Sequence, residues 1–549
     1  MPIPKSSDNT RIREYLDDLE LPLHREYFGR DQLFEQLDDC IKNGRYSVIC
    51  IHGFIGEGKS SFLFHLVNRL AEKEKKYYGA RFVYYWKFRS PNIDTKSGVS
   101  NISGFLEKVV NFYGIKSEQH DDSGRLEQLL TQLNKNKSIL ILDGIDAIQE
   151  STHNGKKVIN DKIIKGLITS VARNGLVGEG ILIILSRHPV IELDFFQKAI
   201  NIPITQLTED DCCQIFNLYN ILGEKQQLKK ISRNVKNNPL AVTLIARLIL
   251  SSYEGNFDLF KPWTRLSDSY EDGTLESDIL RDIMKSYDNS WKENSGELAI
   301  LLLLSIYRHP VAFDELREIA KSADLLPEAR ESWKKISSVP VNNLKNFGLL
   351  IGDYIFDMQA VAREYFSNMF RTSYPDKYRL CNNLIATRKV QNFKDERVNS
   401  ISDMEALYEA VYHFSEAEEY DKALEIYWER INRKRVFFSQ KILGAYTNDL
   451  TAISCFFKDN KRWIPVENLQ KEDQAWLCAS CAYLLNSLGY LEESEVLRKN
   501  EISLHTELNC PLLVIQNMVN LSRTLLMQYK INESIEILEI AQREYNSYK

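Results

Sequence analysis

The chain has 549 residues, too many for a single hydrophobic core and enough for three or four domains of ordinary size. It is 44% hydrophobic and 27% charged with only 14 prolines, which excludes disordered and collagen-like classes. A net charge of −6 gives no general attraction to nucleic acid or anionic membrane, and the longest uncharged apolar stretch, 298–307, is too short to span a bilayer.

Residues 1–24 form a polar N-terminal extension without the features of a signal peptide. Nine cysteines are scattered without paired spacing, which suits a reducing cytoplasm. Cys478 and Cys481 form a lone Cys-x-x-Cys inside a helical pattern and read as structural. Residues 46–204, within a predicted domain of 25–204, alternate short apolar strands with amphipathic helices, the pattern of a parallel α/β sheet. Strands are predicted at 47–51, 82–88, 138–142, 181–185 and 201–204. From Leu207 helical periodicity takes over. Across 297–372, helices followed by two short β-like runs around Gly352-Asp353 suggest a winged helix. Residues 373–549 look repetitive: Ala423, Ser494 and Ser534 each open an amphipathic helix after a short turn, and the two serines lie 40 residues apart. That spacing suggests a tetratricopeptide-like solenoid with long arms, a surface suited to a protein or peptide ligand.

The chemistry begins at Gly53-Phe-Ile-Gly-Glu-Gly-Lys-Ser60, which fits the phosphate-loop pattern Gly-x-x-x-x-Gly-Lys-Ser. The apolar run 47–51 precedes it, and Phe62, Leu63, Leu66, Val67 and Leu70 follow on one helical face. Strand, glycine loop and helix N-terminus make a cradle for phosphate. Lys59 adds a point charge, and the Ser60 hydroxyl can ligate Mg²⁺. Asp143 ends the strand 138–142 at the sheet edge where ligands bind, and there it can hold Mg²⁺. Asp146 can orient or deprotonate an attacking water, or serve as a loop or cap residue. Arg187 ends a third strand, where its guanidinium can touch a γ-phosphate.

Taken in order, these segments resemble the STAND family, the signal-transduction ATPases with numerous domains that include the NB-ARC proteins. Tyr27-Phe-Gly-Arg-Asp31, the phosphate loop, Trp86-Lys-Phe-Arg89, Leu142-Asp-Gly-Ile-Asp-Ala-Ile-Gln149, Ser186-Arg-His188, Asn238-Pro-Leu240 and 356–366 carry the resemblance, over about 25–370. It implies an ATP/ADP and Mg²⁺ site. Phe28, Gly29, Arg30 and Pro239 would flank the adenine. Gly53, Gly56, Glu57, Gly58, Lys59, Ser60 and Ser61 would hold phosphate, Ser60 and Asp143 would hold Mg²⁺, and Arg187 would sense the γ-phosphate. It also implies that 205–296 forms a helical lid and connector, and that the winged helix clamps ADP. Two departures stand out. Asp146 replaces the usual glutamate of bacterial members, and Gln359 stands where a histidine is expected. Both point to slow Mg²⁺-dependent hydrolysis and a looser ADP lock.

The resemblance further implies a cytoplasmic signal-transducing switch that senses a ligand through its repeats and self-assembles when activated, in a context such as bacterial antiphage defence. A non-hydrolysing ADP-bound scaffold and the sensor part of a transcription regulator are the alternatives. DNA contact by the winged helix is disfavoured, because Phe313-Asp-Glu-Leu-Arg-Glu-Ile-Ala320 carries three acids and one arginine. About 25 residues before Tyr27 are too few for a folded effector. The output is therefore expected from an effector in trans, from assembly itself, or from a longer parent chain.

Overall fold

The computed structural model describes residues 12–16, 26–72, 76–88, 102–115, 121–152, 155–260, 276–290, 296–334, 336, 338–394, 398–459 and 463–548. Most of the extension expected at 1–24, and Arg89, lie outside them.

Among the described residues of the N-terminal region the strands are β1 (Arg13–Tyr15), β2 (Val48–His52), β3 (Phe82–Lys87), β4 (Ser138–Asp143), β5 (Gln149–Ser151), β6 (Lys157–Ile159), β7 (Ile181–Ser186) and β8 (Ala199–Pro203). Six of them form one sheet in the order β1-β3-β4-β7-β2-β8, and every pairing is parallel. Apart from polar residues at their ends, such as His52, Ser138, Asp143 and Ser186, the central strands are apolar because helices cover both faces of the sheet. Val48, Cys50, Tyr84, Leu140, Leu142, Leu182 and Ile184 face one layer of helices. Ile49, Ile51, Val83, Tyr85, Ile139, Ile141, Ile183 and Leu185 face the other. The antiparallel hairpin β5-β6 stands apart.

Edge strand β1 was not legible in the sequence. Arg13-Glu-Tyr15 has no apolar run, but an edge strand needs only one packed side. Tyr15 supplies it by stacking on Tyr84 with ring centroids 4.9 Å apart. The sheet order has one consequence for the site. Strand β2, which leads into the phosphate loop, and β4, which ends in Asp143, are not neighbours; β7 lies between them and delivers Arg187 to the gap.

One apolar cluster runs from Leu207 to Ile385. It joins the helices Glu209–Leu218, Lys225–Asn234, Pro239–Ser252 and Glu276–Ser290 to the segment expected to be a winged helix. That segment consists of helices Gly296–Ser305, Phe313–Ser322 and Val339–Phe347 with three short strands, β9 (Val311–Ala312), β10 (Leu350–Ile351) and β11 (Ile355–Met358). The strands pair antiparallel in the order β10-β11-β9.

The C-terminal region is helical, with a core from Ala386 to Leu497. Helices Lys471–Leu488 and Leu491–Glu507 are followed, 40 residues on, by Pro511–Met527 and Ile531–Tyr548. The two serines that marked this period are buried and do the same job. Ser494 Oγ donates to the Ala482 carbonyl at 2.9 Å, and Ser534 Oγ to the Ser522 carbonyl at 3.0 Å. Each bond spans 12 residues and closes a helix pair. Cys478 and Cys481 are buried within one helix, and all nine cysteines are free thiols. Among the described residues no helix is long and apolar enough to cross a membrane.

The repeats fold back onto the sheet domain through buried polar contacts. Thr447 and Ser103 share a 2.7 Å hydroxyl contact, and Ser103 N donates to Thr447 Oγ1 at 2.9 Å. Arg125 donates to the Leu443 carbonyl at 2.7 Å and pairs with Asp122 at 3.5 Å, while Glu107 accepts from Ile401 N at 3.0 Å. Tyr490 reaches the Asn160 carbonyl at 3.4 Å.

Candidate functional site

The phosphate loop leaves β2 at Gly53 and enters the helix Lys59–Ala71 through Gly58, which sits in the left-handed region at φ +87°. Ser60 and Ser61 occupy the first turn of that helix, whose free N–H groups favour an anion. Lys59 turns back across the loop and donates to the Gly53 and Phe54 carbonyls, the latter at 2.8 Å. Burial lowers the Lys59 pKa; Asp146 raises it, Arg187 lowers it, and Asp143 and Glu57 raise it. The four predicted side chains Lys59, Asp143, Asp146 and Arg187 therefore act on one another at one sheet edge.

The Glu57 side chain turns inward and accepts from Phe54 N at 2.8 Å, so its carboxylate braces the loop. Its carbonyl accepts from the buried Arg30 at 3.4 Å, and Tyr27 OH donates to the Gly58 carbonyl at 3.4 Å. Desolvation pushes the Tyr27 phenol well above its ordinary range, so it remains a donor. Gly29 abuts Asp211 of the helix Glu209–Leu218, and Phe28 packs half-buried against the helical core. The expected adenine-flanking segment thus lies between the loop and the lid.

The lid touches the loop directly. Asn238 Nδ2 donates to the Ile55 carbonyl at 2.8 Å, and Leu240 N donates to the Gly56 carbonyl at 3.1 Å. Asn238 also caps the helix Pro239–Ser252 by accepting from Ala241 N at 3.1 Å, with Pro239 at the first helical position. Gly56, at φ +82°, leaves this approach open: a Cβ there would lie 2.5 Å from Asn238 Oδ1.

Asp143 is buried at the end of β4, and Tyr85 OH of β3 donates to its Oδ2 at 3.0 Å. Asp146 and Arg187 are bound to each other. Arg187 N donates to Asp146 Oδ1 at 3.1 Å, and Arg187 Nε meets Oδ2 at 3.0 Å. The neighbouring imidazoles add no strong cation at neutral pH. Burial, then Lys59 and His188, lower the pKa of His52. Burial, then Lys157, lower that of His188. Ser186 Oγ donates to Gln149 at 2.9 Å, and Gln149 Nε2 to the Pro189 carbonyl at 3.2 Å, which fixes the turn after Arg187.

Gln359 is not brought to this cluster by any hydrogen bond of its side chain among the described residues. It precedes the helix Ala360–Ser373, half-buried, and its carbonyl accepts from Arg363 N at 2.9 Å. Tyr85 was not singled out in the sequence, and Asn238 was named only within the segment Asn238-Pro-Leu240, with no role of its own. Asn238 had a visible cue, an asparagine before proline at a helix start, whereas Tyr85 had none beyond strand alternation.

These residues fit a nucleotide and its Mg²⁺. The loop glycines open a backbone cradle, and among the described residues Lys59 is a recessed cation whose hydrogen bonds go to carbonyl groups. Lys59, Ser60 and Ser61 would hold phosphate, and Ser60 with Asp143 would hold the metal, which when bound supplies charge neutralisation on phosphate oxygens.

A model of the NACHT domain matches residues 47–219. Among solved structures, the chain is similar to a signal transduction ATPase with numerous domains and a tetratricopeptide repeat sensor from Pyrococcus horikoshii. Identity is 12%, coverage is 95% of this chain and 84% of that one, and the TM-score is 0.38. It is also similar to a Walker-type ATPase of Pyrococcus abyssi, at 14% identity, 64% and 99% coverage and TM-score 0.32. A third is the Orc1 protein of Aeropyrum pernix in complex with DNA, at 12% identity, 64% and 95% coverage and TM-score 0.30. No curated protein matches the chain. The NACHT match covers about a third of the chain and falls on the parallel sheet and its phosphate loop, so residues 47–219 are similar to a NACHT domain, a nucleotide-binding P-loop fold.

Proposed function

We propose that the protein is an ATP/ADP switch whose state is set by what occupies the gap between Lys59 and Arg187, and that a polypeptide ligand on the C-terminal repeats biases it toward a self-assembling form. The observation that carries this reading is the mutual engagement of Asp146 and Arg187. While both carboxylate oxygens accept from Arg187, Asp146 is a poor proton acceptor for water. A γ-phosphate beside Lys59 competes for the same guanidinium, because a charge-assisted contact to phosphate matches one to carboxylate. Sensing and activation of the base are then one event. The lid belongs to the same device: Asn238 and Leu240 are hydrogen-bonded to the phosphate loop itself, so loop and lid positions are coupled.

The engaged Asp146 also favours the second reading, a scaffold that holds ADP without turnover. Nucleotide titrations and single-turnover phosphate release on Arg187→Ala and Asp146→Asn separate the two. For the switch, Arg187→Ala keeps ADP affinity and weakens ATP by about ten- to hundredfold, the ~1.5–3 kcal/mol of a charge-assisted bond. Asp146→Asn slows phosphate release by roughly a hundredfold or more. Equal losses for ADP and ATP would remove the sensor role. Unchanged phosphate release in Asp146→Asn would leave the scaffold.

A further inference from the structure

Asp143 is buried, so its carboxylate depends on donors within the fold rather than on water. The β3 side reaches it twice. Phe88 N, just past the strand, donates to the Asp143 carbonyl at 2.8 Å, and Tyr85 OH donates to Asp143 Oδ2 at 3.0 Å. On the other side Gly144 N donates to the Leu185 carbonyl of β7 at 3.0 Å. The backbone around Asp143 is thus tied to both neighbouring strands. What these bonds leave open is rotation of the carboxylate about its broad, twofold terminal torsion. The Tyr85 hydroxyl closes that freedom.

The position of this hydroxyl follows from the sheet. Strands β3 and β4 run parallel with Tyr85 opposite Ile141 and Lys87 opposite Asp143. Side chains two apart share a face, so Tyr85 and Asp143 lie on one face of the sheet, one pair apart along the strands. That face is covered by the phosphate-loop helix, whose Phe62, Leu63 and Leu66 pack in the same apolar cluster as Tyr85. Tyr85 is 1% exposed. In such a layer phenylalanine would offer the same ring without a polar atom to desolvate, and a hydroxyl is tolerated only when bonded. Here the bond goes to the carboxylate that closes β4 beside the phosphate loop.

We propose that Tyr85 is a positioning residue for the metal site: by holding Asp143 Oδ2 it sets the rotation at which the carboxylate serves Mg²⁺, and so favours Mg²⁺ over larger divalent cations. This role rests on the switch reading in one respect, that Ser60 and Asp143 hold Mg²⁺ beside the phosphates. A donor behind a metal ligand fixes its orientation, and removing such a donor costs about ten- to hundredfold in metal affinity. Mg²⁺ is the strict case, because it demands a near-ideal octahedron, whereas Ca²⁺ accepts irregular arrangements. Loss of the hydroxyl therefore falls harder on Mg²⁺ than on Ca²⁺.

The probe is a non-hydrolysable ATP analogue, titrated calorimetrically into the full chain in EDTA and then over a series of free Mg²⁺ or Ca²⁺ concentrations. In EDTA, Tyr85→Phe binds the analogue as the wild type does, which shows that the site is folded. The Mg²⁺ concentration giving half of the affinity gain rises about tenfold or more, and the Ca²⁺ midpoint rises by no more than about threefold. Tyr84→Phe, which removes a hydroxyl from the adjacent residue on the opposite face of the sheet, leaves both midpoints in place. An unchanged Mg²⁺ midpoint in Tyr85→Phe, equal rises for the two metals, an equal rise in Tyr84→Phe, or a loss in EDTA as large as that in Mg²⁺ would overturn the role of Tyr85. In each of those cases Asp143→Ala still loses the Mg²⁺ gain that the wild type shows. A wild type whose affinity ignores Mg²⁺, or matches that of Asp143→Ala throughout, would instead remove the metal reading and the Tyr85 role with it.

Discussion

Arg125→Ala releases the C-terminal repeats from the nucleotide domain. The Arg125 guanidinium is buried and divides itself between Asp122, at 3.5 Å, and the Leu443 and Gly444 carbonyls, at 2.7 and 3.4 Å. Removing it strands the Asp122 carboxylate, which is itself buried and otherwise holds only Ser103 Oγ at 2.8 Å. Breaking a buried pair from one side costs about 3–5 kcal/mol, comparable with the whole margin of an interface of this kind. Limited proteolysis is the readout: cleavage into an N-terminal and a C-terminal product accelerates strongly in the variant while both products remain folded.

The same contact has a pH dependence of defined sign. Burial pushes Asp122 up to about 7 against the hydrogen bond from Ser103 and the charge of Arg125, and the nearby Asp161 is raised to about 6, also by burial. Between pH 4 and 7 the docked state therefore holds more protons than the undocked one, so docking weakens as pH rises through that window. Asp122→Asn abolishes most of the slope. Protection from protease that strengthens with rising pH would contradict the buried carboxylate.

Lys59→Ala weakens nucleotide binding of both kinds. Lys59 reaches back over the loop to Gly53 and Phe54, where a β-phosphate belongs in either state. The loss is about ten- to hundredfold for ADP and ATP alike, the ~1.5–3 kcal/mol of a charge-assisted contact. The equality of the two losses distinguishes Lys59 from Arg187, whose removal weakens ATP alone. Isothermal titration with each nucleotide measures it, and a loss confined to ATP would place the γ-phosphate, not the β-phosphate, against Lys59.

The parts of the candidate nucleotide site could be picked out in the sequence because each carries a strong local signal. A glycine loop between an apolar run and an amphipathic helix, and an aspartate or arginine closing an apolar strand, each announce themselves within ten residues. The structure gathers Lys59, Asp143, Asp146 and Arg187 at one edge, with β7 delivering Arg187 between β2 and β4. What stayed hidden has no period. Ser103 and Thr447 are 344 residues apart and look like any surface serine and threonine. Tyr85 reads as one more strand aromatic until β3 pairs with β4 and sets its hydroxyl against Asp143. Glu57 sits within the loop motif yet spends its carboxylate on Phe54 N, because a tight glycine turn leaves that N–H without a backbone acceptor. The π-turn at Ile426–Ile431 is invisible for the same reason: helical periodicity does not announce one added residue.

The switch reading makes one direct demand of the resting protein. Purified without added nucleotide, denatured in acid and resolved by ion-exchange chromatography, it releases close to one ADP per chain and little ATP, from a sample that light scattering shows to be monomeric. A nucleotide-free protein that also fails to bind added ADP, or a constitutive oligomer turning over ATP rapidly with no ligand present, would contradict it.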